Sequence, residues 1–151
     1  MKQEDSSGRD WLLLSYSIPR EPSATRVYVW RKLRGLAAHA VQDAVWLLPA
    51  TERNREKFQW LASEIDEMGG QAALWQARSL TSRQDAALLK RFREPVEKIY
   101  REILVALRKP KPGLSSLSRR FREAQANDHF GDGLASQVRR RLLSTKGEHH
   151  K

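Results

Sequence analysis

The sequence predicts an α+β fold, a β-α-β-β-α-β sheet unit followed by a long helix and short C-terminal helices. Three observations predict it. Short apolar runs alternate with amphipathic helical stripes, Pro or Gly marks most of the junctions, and beyond Ser82 only helical periodicity remains. A chain of 151 residues, 40% of them hydrophobic, can bury a core and is too apolar to be disordered. The expected layout is a disordered tail at 1–10, an α/β domain at 11–80, a helical extension at 81–145 and a second tail at 146–151.

Residues 11–18, WLLLSYSI, form an apolar strand closed by Pro19. Pro22 and Ser23 then open a helix, with Ser23 as N-cap. Within RVYVWRKLRG, residues 26–35, the VYVW alternation suggests a strand. Val29, Leu33 and Leu36 nevertheless recur at helical spacing, so the helix fits better. Gly35 sits where a left-handed C′ residue belongs. Two short strands, Ala38–Val41 and Ala44–Leu48, follow around a Gln42-Asp43 turn. Pro49 and Thr51 open a second helix with the stripe Phe58, Leu61, Ile65 and Met68, and Gly69-Gly70 ends it.

Ala72–Arg78 reads as the fourth strand. Ser82, with Asp85 three residues on, looks like a capping box opening a long third helix. Its stripe runs through Leu88, Leu89, Phe92, Val96, Ile99, Ile103 and Leu107, and Pro95 should kink it. KPKPG at 109–113 is an extended linker. Two amphipathic helices close the chain, one carrying Leu114, Leu117, Phe121 and Ala124, the other Leu134, Val138 and Leu142. DHFGDG at 128–133 separates them.

This order of elements is the ferredoxin-like plan, with both helices on one face of an antiparallel sheet. The opposite face of such a sheet is usually polar, yet AVWLL and WLLLS are apolar on both faces. A partner subunit, or the third helix with those after it, should cover that face. Trp46 and Trp75 are therefore candidate interface residues. Trp60 is a third, because it falls on the charged side of the second helix with Glu56, Glu64 and Glu67; a partly covered surface side chain is the alternative.

The net charge is +10, and residues 81–151 hold 17 Lys/Arg against 8 Asp/Glu. That bias favours a polyanion, DNA above all, over a merely solvated basic surface. Candidate phosphate contacts are Arg31 and Arg34 on the first helix, Arg119, Arg120 and Arg122, and Arg139, Arg140 and Arg141. Consecutive arginines on a helix point in different directions, which suits backbone binding and not base readout. Arg26 stands apart, since by helical angle it lies in the apolar stripe of the first turn. An oxyanion held with Ser23, Thr25, Tyr16 and Ser17 would offset its charge. The alternative is that Arg26 snorkels to water or pairs with Glu21.

Enzyme chemistry finds little support. Cysteine is absent, no G-x-G-x-x-G, Walker or G-x-S-x-G motif occurs, and only His149 and His150 lie near each other. Asp128 and Asp132 flank His129 and could hold a cation, although a polar loop suits the spacing better. No metal, cofactor or catalytic residue is expected. Neither a signal peptide nor an apolar run near the ~20 residues of a membrane span occurs, so a soluble cytoplasmic protein without a membrane partner is expected.

The pieces WLLLSYSIPREPSATRVYVWRKLR, QDAVWLLPAT, FQWLASEI and VEKIYREIL, in this order, resemble the N-terminal domain of the chromate-resistance ChrB family. The same domain is similar to the middle domain of PaaX-type repressors and, more distantly, to the small CRISPR spacer-acquisition nucleases. The resemblance implies a ferredoxin-like fold, a homodimer, and regulation of a chromate-resistance operon, with chromate or another oxyanion as effector. The nucleases place a metal-binding aspartate at the end of the first strand; Ser17 stands in that vicinity here, which argues against nuclease activity. Members of the family continue into a C-terminal domain to which chromate sensing is attributed. This sequence stops at Lys151 without it, as a natural single domain, half of a split pair or a fragment, so a separate sensor domain is an expected partner. No winged helix-turn-helix is recognisable.

Overall fold

A computed structural model describes residues 8–131 and 133–149. The elements are β1 (Asp10–Ser17), α1 (Ser23–Gly35), β2 (His39–Gln42), β3 (Val45–Pro49), α2 (Glu52–Glu67), β4 (Gln71–Arg78), α3 (Ser82–Ala106), α4 (Leu114–Ala126) and α5 (Gly133–His149). They fall into two compact units, residues 1–88 and 89–151, so the division lies inside α3 and not at its start. Among the described residues no helix is long and apolar enough to cross a membrane.

The first unit is the predicted ferredoxin-like arrangement. Its four antiparallel strands stand in the order β2-β3-β1-β4. Leu14 lies opposite Trp46 on one side and Leu74 on the other. Side chains alternate along strands and match across them, so Leu12, Leu14, Trp46, Leu48 and Leu74 share one face. That face belongs to α2, where Leu12, Leu74 and Phe58 line one small groove. Val29 and Leu33 of α1, and Phe58, Leu61 and Ile65 of α2, complete a core in which each large side chain contributes about 2 kcal/mol by leaving water.

The second face carries Trp11, Leu13, Leu47 and Trp75, and it is divided. Trp11 is 2% exposed and its indole N–H donates to Asp85 Oδ1 at 2.8 Å. Trp75, on the outer strand, is 57% exposed. The chain therefore buries the β1–β3 half of this face and leaves the β4 half open. Trp46 is 6% exposed on the α2 side, which removes it from the expected interface.

Local expectations shift by small, explicable steps. Pro22 holds the N-cap position of α1 in extended geometry, so Ser23 is its first helical residue and no side chain caps it. Gly35 remains helical; Ala37 takes the left-handed turn, at φ 60°, while the Ala38 N–H donates to the Leu33 carbonyl. That closure satisfies the last turn at the strain a Cβ incurs in this region. The β2–β3 loop is Asp43-Ala44, one residue later than expected, because Gln42 pairs with Val45 after an irregularity beyond Ala40. Thr51 caps α2 as expected, accepting from the Asn54 N–H at 3.1 Å. Thr81, not Ser82, caps α3 by accepting from the Gln84 N–H, which leaves Asp85 for the Trp11 indole.

Gly70 does more than end α2. A Cβ there would lie 2.6 Å from the Ser17 carbonyl oxygen and 2.9 Å from Ile65 Cγ2. The backbone oxygen of β1 cannot turn aside as a flexible side chain would. Gly70→Ala is expected to cost about 2 kcal/mol and lower the thermal midpoint of tryptophan fluorescence. Gly69→Ala lacks such a clash, although its φ of 88° makes alanine strained there too, so the comparison separates close approach from backbone strain.

The second unit is built from the later part of α3 together with α4 and α5. Val96, Tyr100, Ile103 and Leu107 pack with Leu117, Phe121 and Ala124, and with Ala135, Val138 and Leu142. Most of these residues lie on the predicted stripes, and α3 continues through Pro95. Tyr100 and Ala135 were not read as core, while Ile99, Leu114 and Leu134 are only partly buried against it. Between α4 and α5, Asp128 organises the loop. Its Oδ2 accepts from the buried Tyr100 hydroxyl at 2.8 Å, and its Oδ1 accepts from the Phe130 and Gly131 N–H groups.

Candidate functional site

A surface cleft of about 830 Å³ opens where the end of β1, the start of α1 and the β2–β3 turn meet. The Tyr16 N–H donates to the Ala44 carbonyl, which draws the hairpin turn to the strand end. Tyr16, Ser17, Ser23 and Arg26 all line the cleft, so four of the five residues expected around an oxyanion come together. Thr25 is not among the lining residues; its N–H turns back to the Pro22 carbonyl. Arg26 is exposed here and makes no salt bridge with Glu21, because the buried stripe of α1 is confined to Val29 and Leu33.

Sequence reasoning missed Arg20, Asp43, Val27 and Trp30, which line the same cleft. Two guanidinium groups, three hydroxyls and an uncapped helix start with no acid in its first turn make one wall attractive to an anion. Asp43 opposes an anion on the turn side, and Val27 and Trp30 give the cleft an apolar floor. Arg34 lies over the Trp30 ring, 5.2 Å from its centroid.

Burial pushes the Tyr16 phenol above its ordinary pKa of 10.0, against the opposing influence of the Trp46 indole and the Arg26 guanidinium. A raised folded value means that the neutral phenol is favoured. Its contribution to stability is present below the ordinary value and is lost as pH rises through the folded one. Subtracting the alkaline ultraviolet titration of Tyr16→Phe from that of the parent should isolate this late ionisation. Arg26→Gln should move it later still, since one stabilising cation is gone.

The basic candidates occupy helix surfaces in both units. On α1, Arg31 and Arg34 are exposed and neither forms a salt bridge among the described residues. On α4, Arg119 and Arg122 are likewise unpaired, whereas Arg120 donates to Glu102 Oε1 at 2.6 Å. On α5, Arg139 covers the Phe121 ring at 5.8 Å while Arg140 and Arg141 point outward. Arg120 and Arg139 thus have structural duties that their sequence positions did not announce.

Trp60 stands 74% exposed on α2. The cation reading at Asp128, His129 and Asp132 is met by a loop in which both Asp128 oxygens serve local donors; Asp132 lies outside the described residues. Among the described residues no group of three or more His, Asp or Glu is placed to hold a metal ion. His150, of the terminal pair, also lies outside them.

Comparison with known proteins places this geometry in context. No solved structure matches the chain. The chain is similar to Protein ChrB of Cupriavidus metallidurans, with 30% identity over 105 residues, covering 70% of this chain and 32% of that protein. It spans about a third of the relative's length. The family described as Protein ChrB, N-terminal, matches residues 26–114, more than half of the chain, from the Arg26 wall of the cleft to the start of α4. The chain belongs to the ChrB family and carries its N-terminal domain.

Proposed function

We propose that this chain is a regulatory DNA-binding protein of the chromate-resistance system, acting in the cytoplasm by binding and not by catalysis. Family membership supports the chromate-resistance role. The observation that carries DNA binding is α1, a single helix that exposes Arg31, Lys32 and Arg34. Such a surface grips phosphates and reads few base edges. The cleft beside it is where an oxyanion effector such as chromate would sit, against Arg20 and Arg26, close enough to α1 for its charge to weaken DNA binding.

Fluorescence anisotropy of a labelled duplex from upstream of the chain's own operon tests this. A scrambled duplex, a salt series, and chromate against sulfate complete the design. Steeply salt-dependent binding is the expected result, with chromate lowering affinity more than sulfate does. Absence of binding near physiological salt would overturn it. A second reading then stands, a dimerising interaction module that docks a separate sensor domain and has no DNA affinity. The exposure of Trp60 and Trp75 is what favours it.

A further inference from the structure

We propose that two copies of this chain join through the free edge of β4, extending each four-stranded sheet into one continuous antiparallel sheet. The inference deepens the dimerising reading by naming its surface, and it does not depend on DNA binding. Among the described residues β4 is the outer strand of the sheet and pairs only with β1. It runs for eight residues, Gln71–Arg78, and leaves a ladder of backbone donors and acceptors along its outer side. Exposed edges of that length are ordinarily blunted by Lys, Pro or a bulge. Residues 71–77, QAALWQA, contain none of these and carry no charge.

Self-complementarity of the edge points to a second copy as the occupant. The net charge of +10 opposes self-association in general, and the uncharged stretch 71–77 is where that repulsion is least. The charges nearest the edge are already tied down. Arg78 pairs with Asp10 at 2.5 Å, and Arg55 donates to Gln76 Oε1 at 2.7 Å.

A two-fold axis perpendicular to the sheet keeps each face on its own side, so residues pair only with same-face residues of the partner. Centred on Trp75, it sets the two exposed indoles against each other, a favoured cross-strand aromatic pair. Each indole is already oriented by its N–H donating to Ser15 Oγ at 3.0 Å. Ala73 then faces the partner's Ala77, which leaves the rings room. On the other face, Leu74 comes opposite the partner's Gln76, beside an apolar groove of about 170 Å³ lined by Leu12, Phe58 and Leu74.

The test uses the whole chain in analytical ultracentrifugation across a concentration series. Ala73→Lys with Ala77→Lys puts like charges opposite each other twice and should abolish the dimer. Ala73→Lys with Ala77→Glu puts opposite charges there twice and should retain it, although both variants alter the same two positions. Hydrogen exchange on the unmodified chain supplies a check that needs no variant, since β4 amides should become protected as concentration rises. A dimer that survives in both double variants would overturn edge pairing while leaving a dimer elsewhere. Loss of the dimer in both, with β4 exchange independent of concentration, would overturn it as well. A parent chain that stays monomeric at every concentration would sink the dimerising reading itself.

Discussion

Replacing Arg31 and Arg34 together by glutamine is expected to weaken binding to operon and scrambled duplexes alike. Each phosphate contact contributes about 0.9 to the slope of log affinity against log salt, so two lost contacts lower the slope by about 1.8. Extrapolated from 1 M to 0.1 M salt, that corresponds to a loss of about 60-fold. Glutamine is the right replacement because Arg34 lies in the last turn of α1, where a carboxylate would also oppose the helix dipole. The Arg34 variant releases the Trp30 ring, so a change in indole emission reports that the side chain was displaced without loss of the helix. The companion pair on α5, Arg140→Gln with Arg141→Gln, locates the surface. If the slope falls there and not on α1, DNA lies against the second unit and the α1 assignment is wrong.

How much of this was legible in the sequence depends on what sets each feature. The buried stripes of α1 and α2 follow from periodicity, so Val29, Leu33, Phe58, Leu61 and Ile65 were all readable. Strand parity was readable too, and the ferredoxin-like plan carries the strand order with it; the local contexts did not show which apolar residues that order leaves open. Trp46 and Trp75 look alike in their local contexts; β3 is an inner strand and β4 an outer one, and that separates a buried side chain from an open one. Arg26 was placed among the apolar residues by its helical angle, yet a wheel does not show where burial along a helix begins. Only Val29 and Leu33 of α1 are buried, and the first turn is left to the cleft. Asp43 reaches the same cleft from a turn seventeen positions beyond Arg26, through a β1-to-hairpin hydrogen bond that no local pattern encodes. The caps at Ser23 and Ser82 missed by one residue, since neighbouring hydroxyl and proline positions compete for the same boundary and tertiary context decides.

Asp128→Ala is expected to destabilise the helical second unit by about 3 kcal/mol, the sum of losing its turn-capping bonds and the bond it accepts from a buried hydroxyl. Tyr100 is fully buried, and its hydroxyl donates to Asp128 Oδ2 at 2.8 Å. The Phe130 and Gly131 N–H groups lose their acceptor in the same step. Tyr100→Phe removes only the hydroxyl and should cost about 1 kcal/mol. In that background Asp128→Ala should cost less than it does alone, because the bond from the hydroxyl is already gone; the difference measures the coupling. All five tryptophans lie in residues 11–75, so their fluorescence follows the sheet unit, while far-UV circular dichroism is weighted toward the helices of the second. The dichroism transition should therefore fall by roughly 10 °C or more, as expected for a unit this small. Equal costs in the two backgrounds would show that Asp128 acts through its backbone donors alone and that the Tyr100 contact contributes nothing. An unmoved transition would overturn the loop's structural role and return the carboxylate to the list of groups free to bind a ligand.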